Sequence, residues 1–258
     1  MDIPSFSLES KAAIVVGGKR GIGKAIALGF AKAGADVAVC SRALEDGQLR
    51  AVADEIQGLG RRSLAVQADI TRSADVDHLV QRVTDEFGVI DILVNSAGVV
   101  IRAPLLELRE DDWDETIDTD LKGCYLCCKV VGRRMVEQRR GNIINIASSL
   151  TTLTTKAVPQ MGVYSVAKAG VLMLTRVLAV ELASHNIRVN AISPGLTRTE
   201  MSDWVSRNPE ILKEMVAGRP LGRIAEPADM IGAAIFLASD ASSYITGHTI
   251  LVDGGFSA

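Results

Sequence analysis

The sequence predicts one α/β domain over residues 1–258, built on a doubly wound parallel sheet of about seven strands with helices on both faces. Three observations predict it. Short, wholly apolar runs such as Ala12-Ala13-Ile14-Val15-Val16 recur along the chain, as strands buried on both faces do. Amphipathic stretches closed by glycine alternate with them, which is the order of a parallel sheet with crossover helices. The first apolar run enters a glycine-rich turn, Gly17-Gly18-Lys19-Arg20-Gly21-Ile22-Gly23, and the turn opens a helix.

Taken in order, strands are expected at 12–16, 35–40, 62–67, 90–94, 142–146, 187–192 and 249–252. Helices are expected at 24–33, 44–59 with Gly60 as stop, 76–87 with Gly88 as stop, 111–138, 163–185 and from Pro227 onward. Residues 151–155 read as a polar loop, and Pro159-Gln160 precede the helix at 163. Between 196 and 220 the pattern weakens into charges with Met201, Trp204 and Met215, which suits a lid over a substrate. No repeat, low-complexity tract or linker appears, so the chain reads as a single domain with a glycine-bearing half, 8–140, and a catalytic half, 141–258.

Composition narrows the function. The 258 residues are 48% hydrophobic, enough for a sizeable core, though length alone leaves room for two small domains. Formal charge is −3, so no basic field invites nucleic acid or anionic lipid. The N-terminus lacks a basic start followed by an apolar run, and no uninterrupted apolar segment reads as long enough to cross a bilayer. The expectation is a cytoplasmic protein without nucleic-acid or membrane partners. Cys124, Cys127 and Cys128 crowd one helical segment while Cys40 ends a strand, which is neither a disulfide framework nor a paired zinc pattern. They are expected as small buried hydrophobes, and no metal site is expected.

Strand, glycine turn and helix is the order that cradles phosphate. Gly17, Gly21 and Gly23 let the backbone approach a pyrophosphate whose charge lies at the helix N-terminus, the dinucleotide-binding half of a Rossmann-like sheet. After the second strand, where an NAD-binding chain usually places an acid for the ribose hydroxyls, Ser41-Arg42 stand instead. Arg42 with Lys19 and Arg20 would surround a 2′-phosphate with cationic donors, so NADP(H) is expected over NAD(H).

The chemistry is expected at Tyr164-Ser165-Val166-Ala167-Lys168, which leads into the apolar stretch 169–183. A phenol and an ammonium four residues apart share one helix face. A unit charge at ~4 Å in an effective dielectric of about 20 favours the phenolate by ~4 kcal/mol, enough to bring Tyr164 toward neutral pH as a general acid or base.

With these pieces in place the chain resembles the short-chain dehydrogenase/reductase family from Ser7 to Val252-Asp253-Gly254-Gly255. The carriers are the glycine turn, Asp69 after the third strand, Asn95-Ser96-Ala97-Gly98, Ser148, Tyr164-x-x-x-Lys168, and Pro194-Gly195 with Thr199. The resemblance implies reversible hydride transfer between a nicotinamide and a carbonyl or secondary alcohol of a small molecule. It implies Tyr164 as proton donor or acceptor, Lys168 lowering its pKa and holding the nicotinamide ribose, and Ser148 orienting the substrate oxygen. Ser149 and Thr151 compete for that last role, because the gap from Ser148 to Tyr164 is longer than usual in the family. Gly17, Gly21 and Gly23 would line the pyrophosphate, Asp69 and Ile70 the adenine, Asn95, Ser96 and Ala97 the adjoining ribose, and Thr197 and Thr199 the carboxamide end. Ile22 of the turn and the Pro194-Gly195 pair complete the expected cofactor set.

Three positions depart from the family pattern. Asp120, in Thr119-Asp120-Leu121-Lys122-Gly123, stands where Asn is usual, and a carboxylate near Lys168 would compete with the phenolate for that cation. Val16 and Ser96 stand where Thr and Asn are common, which points to an apolar contact replacing a hydrogen bond between the first and fourth strands. Phe6-Ser7-Leu8, Arg102-Ala103-Pro104-Leu105 and Pro159-Gln160 look like members acting on sugar acids, sugars or polyols, with 3-oxoacyl thioester or broad ketone reduction as alternatives. A non-catalytic NADPH-sensing regulator and an epimerase or dehydratase using the same Tyr and Lys are the readings outside that class. The helix at 163–185 is apolar nearly all round, with Val166, Val171, Leu174, Val177 and Leu178. One face covers the sheet, and the resemblance points to a homodimer or homotetramer across the other.

Overall fold

The computed structural model describes residues 4–44, 46–151 and 160–258. Its strands are β1 (Ala12–Val16), β2 (Asp36–Ser41), β3 (Ser63–Gln67), β4 (Ile92–Asn95), β5 (Gly141–Ile146), β6 (Ile187–Pro194) and β7 (Thr249–Val252). They lie in the order β3-β2-β1-β4-β5-β6-β7, every neighbouring pair parallel. The winding reverses between β1 and β4, and a crevice outside the carboxyl ends of the strands at such a point is where open α/β sheets bind ligands.

The helices are α1 (Gly21–Lys32), α2 (Gln48–Gly58), α3 (Ser73–Phe87), α4 (Glu110–Ile117), α5 (Gly123–Gln138), α6 (Gly162–Leu182), α7 (Asp203–Ser206), α8 (Pro209–Ala217) and α9 (Ile231–Ala238). Alternation along each strand divides the interior into two cores. Ile14 and Val16 of β1 face one way and pack with Val76, Leu79 and Val83 of α3, Val131 and Met135 of α5, and Val171 of α6. Ala13 and Val15 face the other way, against Ile26 and Phe30 of α1, Leu49 and Ile56 of α2, and Leu237 of α9. Buried on both faces, the strands have no room for polar alternation, which is why they read as continuous apolar runs.

Several elements differ from the expected ones, each for a local reason. The helix expected from residue 44 begins at Gln48, because Gly47 takes a left-handed φ of 71° and Asp46 Oδ1 accepts the Gln48 N–H at 3.1 Å. The long helix expected over 111–138 is continuous but contains a π-helical turn, Asp118–Lys122, between α4 and α5. The lid segment holds α7 and α8, the latter capped by Asn208, whose side chain accepts from Glu210 and Ile211 N–H. Residues 152–159, including most of the expected loop and Pro159, lie outside the described residues.

One helical stretch, Gly162–His185 with 24 residues, is long and apolar enough to cross a bilayer by length and composition, although Lys168, Arg176 and Glu181 interrupt it, as in the core helix of a folded domain. Its apolar side chains fall on two faces. Val163, Ala167, Val171, Thr175 and Ala179 are buried, while Val166, Met173, Val177 and Val180 are exposed.

All four cysteines are buried in the core. Burial pushes the Cys40 thiol up to about 12 and raises Cys127 as well; Cys128 is raised by hydrogen bonding to Cys124 and by burial. The tie expected from a side-chain contact between Val16 and Ser96 is made by backbone, Ser96 N–H donating to Val16 O at 3.0 Å, a bond indifferent to both side chains.

Candidate active site

The strand ends of β1 to β6 open on a cleft of about 800 Å³. Every residue of the expected site lines it except Asn95 and Asp120. β5 delivers Ser148 just past its end, and the first two turns of α6 deliver Tyr164 and Lys168. The Lys168 Nζ lies 5.6 Å from the centroid of the Tyr164 ring and donates to Ile146 O at 3.2 Å. The Tyr164 hydroxyl is hydrogen-bonded to Ser148. Thr151, a competitor of Ser148, donates its hydroxyl to the Ser148 carbonyl instead.

The expected lowering of the Tyr164 pKa is corrected. Burial of the phenol is the largest influence and raises it, Asp120 raises it further, and Lys168 and the Ser148 hydrogen bond pull it down without prevailing. The cause is visible in the charge arrangement: Asp120 Oδ2 lies 3.2 Å from Lys168 Nζ, so the ammonium is shared. Lys168 is 5% exposed and Asp120 1%. Burial disfavours the ammonium, yet Asp120 and Tyr164 together hold Lys168 above its ordinary range, whereas burial lifts the Asp120 carboxyl above its own. The balance of these influences favours the protonated phenol.

Asp120, expected among the catalytic groups, does not line the cleft; its carboxylate lies against Lys168 Nζ. The π-helical turn presents it there, and its Oδ1 accepts the Val99 N–H at 2.8 Å, so the carboxylate also pins the strand-to-helix loop after β4. Asn95, expected at the adjoining ribose, does not line the cleft. Its side chain turns into the core, Nδ2 donating to Asn145 Oδ1 at 2.8 Å, and Asn145 in turn donates to Thr175 Oγ1 at 2.9 Å. That chain of amides crosses from β4 through β5 to α6 and fixes the helix that carries the phenol.

The glycine turn fits a dinucleotide. A Cβ on Gly17 would fall 2.7 Å from Ala97 N, and one on Gly23 would fall 2.2 Å from Gly17 O. Gly17 and Gly21 also hold φ of 75° and 55°, which L side chains rarely adopt. The bare backbone lies at the N-terminus of α1, where a pyrophosphate finds N–H groups and the favourable end of the helix dipole. Asp69, Ile70, Ser96 and Ala97 line one wall, with Pro194, Gly195, Thr197 and Thr199 on the lid side. Burial opposes the Asp69 carboxylate, but the Thr71 N–H and hydroxyl, at 3.0 and 2.8 Å, together with Arg42 hold its pKa below the usual range.

The three cations expected around a 2′-phosphate all line the cleft, and two of them are paired with acids. Arg20 pairs with Glu200, the first residue beyond Thr199, and so ties the glycine turn to the lid. Lys19 pairs with Asp46 at 2.6 Å. Arg42 is exposed beside Asp69 and Ser41, leaving it and the tethered Lys19 at the far end of the cleft. Asp46 and Glu200 carried no sequence signal beyond opposite charge, since each partner is distant along the chain.

At the lid end Met161, Met201, Trp204, Val205, Met215, Arg219 and Phe256 complete the wall. Arg219 and Phe256 were missed: the one reads as a surface charge before a proline, the other lies in the C-terminal tail. The Arg102 guanidinium sits 3.6 Å above the Trp204 ring and reaches Gln160 Oε1 at 3.2 Å, closing the outer rim. Phe6, by contrast, packs on Phe236 outside the cleft.

Comparison with known proteins agrees with this geometry. Residues 16–257 match the family model described as enoyl-(acyl carrier protein) reductase. The chain is 39% identical over 246 residues to 3-oxoacyl-[acyl-carrier-protein] reductase of Staphylococcus epidermidis, covering 95% of this chain and 98% of that one. It is 39% identical over 259 residues to 2-dehydro-3-deoxy-D-gluconate 5-dehydrogenase of Escherichia coli, covering 100% of both. A solved gluconate 5-dehydrogenase of Burkholderia cenocepacia, in complex with NADP and tartrate, superposes with TM-score 0.93 at 32% identity over 99% of this chain and 98% of that one. With Ser148, Tyr164 and Lys168 gathered at the strand ends of a seven-stranded parallel sheet, the chain belongs to the short-chain dehydrogenase/reductase family, whose members are oxidoreductases acting on alcohols and carbonyls.

Proposed function

We propose that this enzyme interconverts a carbonyl and a secondary alcohol of a small hydroxylated substrate with NADP(H). The observation that carries the proposal is the hydrogen-bonded pair Ser148 and Tyr164 facing the cleft with Lys168 behind the phenol. A nicotinamide, when bound, supplies or accepts hydride. The chain's own residues do the rest. Ser148 orients the substrate oxygen, and Tyr164 donates its proton to that oxygen in reduction and takes it back in oxidation. Lys168 keeps its charge against the phenolate formed in the first case. The lid wall of Met201, Trp204 and Met215 excludes water from the reacting carbon. An NADPH-oxidation screen across sugars, keto acids, acyl thioesters and aryl ketones tests this reading, and no turnover of any of them would remove it. Reduction of a 3-oxoacyl thioester is the second reading, supported by the Staphylococcus epidermidis relative at the same 39% identity as the sugar-acid dehydrogenase.

NADP(H) preference is supported by Ser41-Arg42 at the end of β2 and by the NADP in the Burkholderia cenocepacia structure. A charge-assisted contact from Arg42 to a 2′-phosphate is worth about 1.5–3 kcal/mol, or roughly 10–100-fold in affinity. Arg42→Ala is accordingly expected to lower the ratio of kcat/KM for NADPH over NADH by about that factor. An unchanged ratio would place phosphate recognition elsewhere.

A homodimer or homotetramer is part of the proposal. Met173 and Val180 on α6 are 56% and 80% exposed, an apolar strip that pairing of two copies would cover. Light scattering is expected to give a mass at least twice that of the 27.4 kDa chain, and a monomeric mass would overturn it.

A further inference from the structure

Charge within the cleft is distributed unevenly, and among the described residues two of its cations, exposed Arg42 and buried Arg219, belong to no ion pair. Among the described residues the cleft-lining cations are Lys19, Arg20, Arg42, Lys168 and Arg219. Asp46, Glu200 and Asp120 pair with Lys19, Arg20 and Lys168. Arg42 stands beside Asp69 at the end assigned above to a 2′-phosphate. Arg219 is at the opposite, lid end, 6% exposed, and no ion pair among the described residues includes it.

The side chain is held rather than loose. Its guanidinium carbon lies 4.5 Å from the centroid of Phe256, and its Nη1 donates to the Met215 carbonyl. The backbone on both sides is bonded, Arg219 N–H to Val216 O and Gly222 N–H to Arg219 O, both at 2.9 Å. Its Nε is buried and has no hydrogen-bond partner. Asp253 is the acid that acts on it electrostatically, but that carboxylate is already engaged, Oδ1 by Gly255 N–H and Oδ2 by Ser257 N–H, each at 3.0 Å. Burial accordingly holds Arg219 below the ordinary arginine range, yet a guanidinium does not give up its proton in a protein, so the charge remains. A buried, oriented fork of N–H donors with spare capacity matches a carboxylate better than a hydroxyl or a thioester.

We infer that Arg219 is the anion-recognising residue of the substrate end of the cleft, so that the substrate is a hydroxy or oxo acid whose carboxylate binds Arg219 at the end of the lid. This rests on the hydride-transfer reading above and deepens it. It also separates the two substrate classes there, because the acyl thioester carries no carboxylate at its reacting end.

The test compares wild type, Arg219→Met and Arg219→Lys in two ways. The first is oxidation of gluconate and of its neutral counterpart glucitol with NADP. The second is calorimetric binding of tartrate, a dicarboxylate, to the NADPH-loaded enzyme, where the reduced cofactor cannot oxidise it and binding does not depend on turnover. Arg219→Met is expected to lower the gluconate-to-glucitol ratio of kcat/KM by roughly 10–100-fold, mainly through KM, and to weaken tartrate binding by a similar factor. Arg219→Lys, which keeps the charge but loses the fork, is expected to recover part of both. An unchanged ratio, tartrate bound equally well by Arg219→Met, or tartrate not bound by wild type would each overturn the inference. If no alcohol or carbonyl is turned over but tartrate binding still depends on Arg219, the hydride-transfer reading fails while the anion site stands.

Discussion

Tyr164→Phe is expected to lower turnover by roughly 10²–10⁴-fold in both directions, the usual worth of a positioned general acid or base, while NADPH binding and the melting transition stay close to wild type. The variant removes one oxygen and leaves the ring that packs against Lys168, so loss of activity with a retained fold isolates the proton step. In wild type the direction of the pKa shift sets the pH dependence. Because burial and Asp120 hold the phenol above its ordinary range, reduction, which needs the protonated form, is expected to persist through neutral pH and fall only on the alkaline side. Oxidation, which needs the phenolate, is expected to rise with pH over the same range. Steady-state rates in both directions across pH, together with cofactor titration of the variant, make the check. Undiminished turnover by a folded, cofactor-bound Tyr164→Phe would remove Tyr164 from the proton step.

Lys168→Met is expected to cost both activity and stability, and the second loss comes from Asp120. With the ammonium gone, a carboxylate 1% exposed is left without its cation, and breaking a buried pair in this way typically costs about 3–5 kcal/mol. The double variant with Asp120→Asn is expected to regain most of that stability and none of the activity, since the amide carries no charge to strand. The pH dependence has a definite sign. A carboxyl whose folded pKa lies above its unfolded one binds its proton more tightly in the native state, so the destabilisation of the single variant is present at neutral pH and shrinks as pH falls through the raised pKa. Asp120→Asn alone removes the negative charge that lifts the phenol and gives the whole of the Lys168 charge to Tyr164. Its oxidation profile is expected to shift toward lower pH on the acid limb. Denaturant unfolding of the three variants and pH–rate profiles decide the matter. Equal stability of Lys168→Met and wild type, or an unmoved acid limb in Asp120→Asn, would mean that the two groups are not coupled.

Much of this was legible before any coordinates. Residues 12–16 and 187–192 read as buried strands because a parallel sheet covered on both faces leaves no polar alternation, and Gly88 read as a helix stop because it supplies the left-handed φ of 78° found there. What failed did so where a residue's setting is decided by something far along the chain. The helix start at Gln48 depends on Asp46 serving it, and Asp46 is also held by Lys19 across the β2 to α2 turn. Arg20 looked like a phosphate ligand beside Lys19, yet Glu200 draws it toward the lid. The inward turn of the Asn95 amide to Asn145 likewise follows from the pairing of β4 with β5, which nothing near Asn95 in the sequence announces.

The amino-acid order by itself determined the doubly wound sheet, the glycine cradle and the Tyr164–Lys168 face, because those follow from backbone sterics and from periodicities that act within a few residues. Only the tertiary structure decided how charge is shared around them. Lys168 is divided between Tyr164 and Asp120, and Arg219 is buried with no ion pair among the described residues, because Coulomb interactions and desolvation depend on which side chains the packed fold brings within a few ångströms, whatever their separation in sequence.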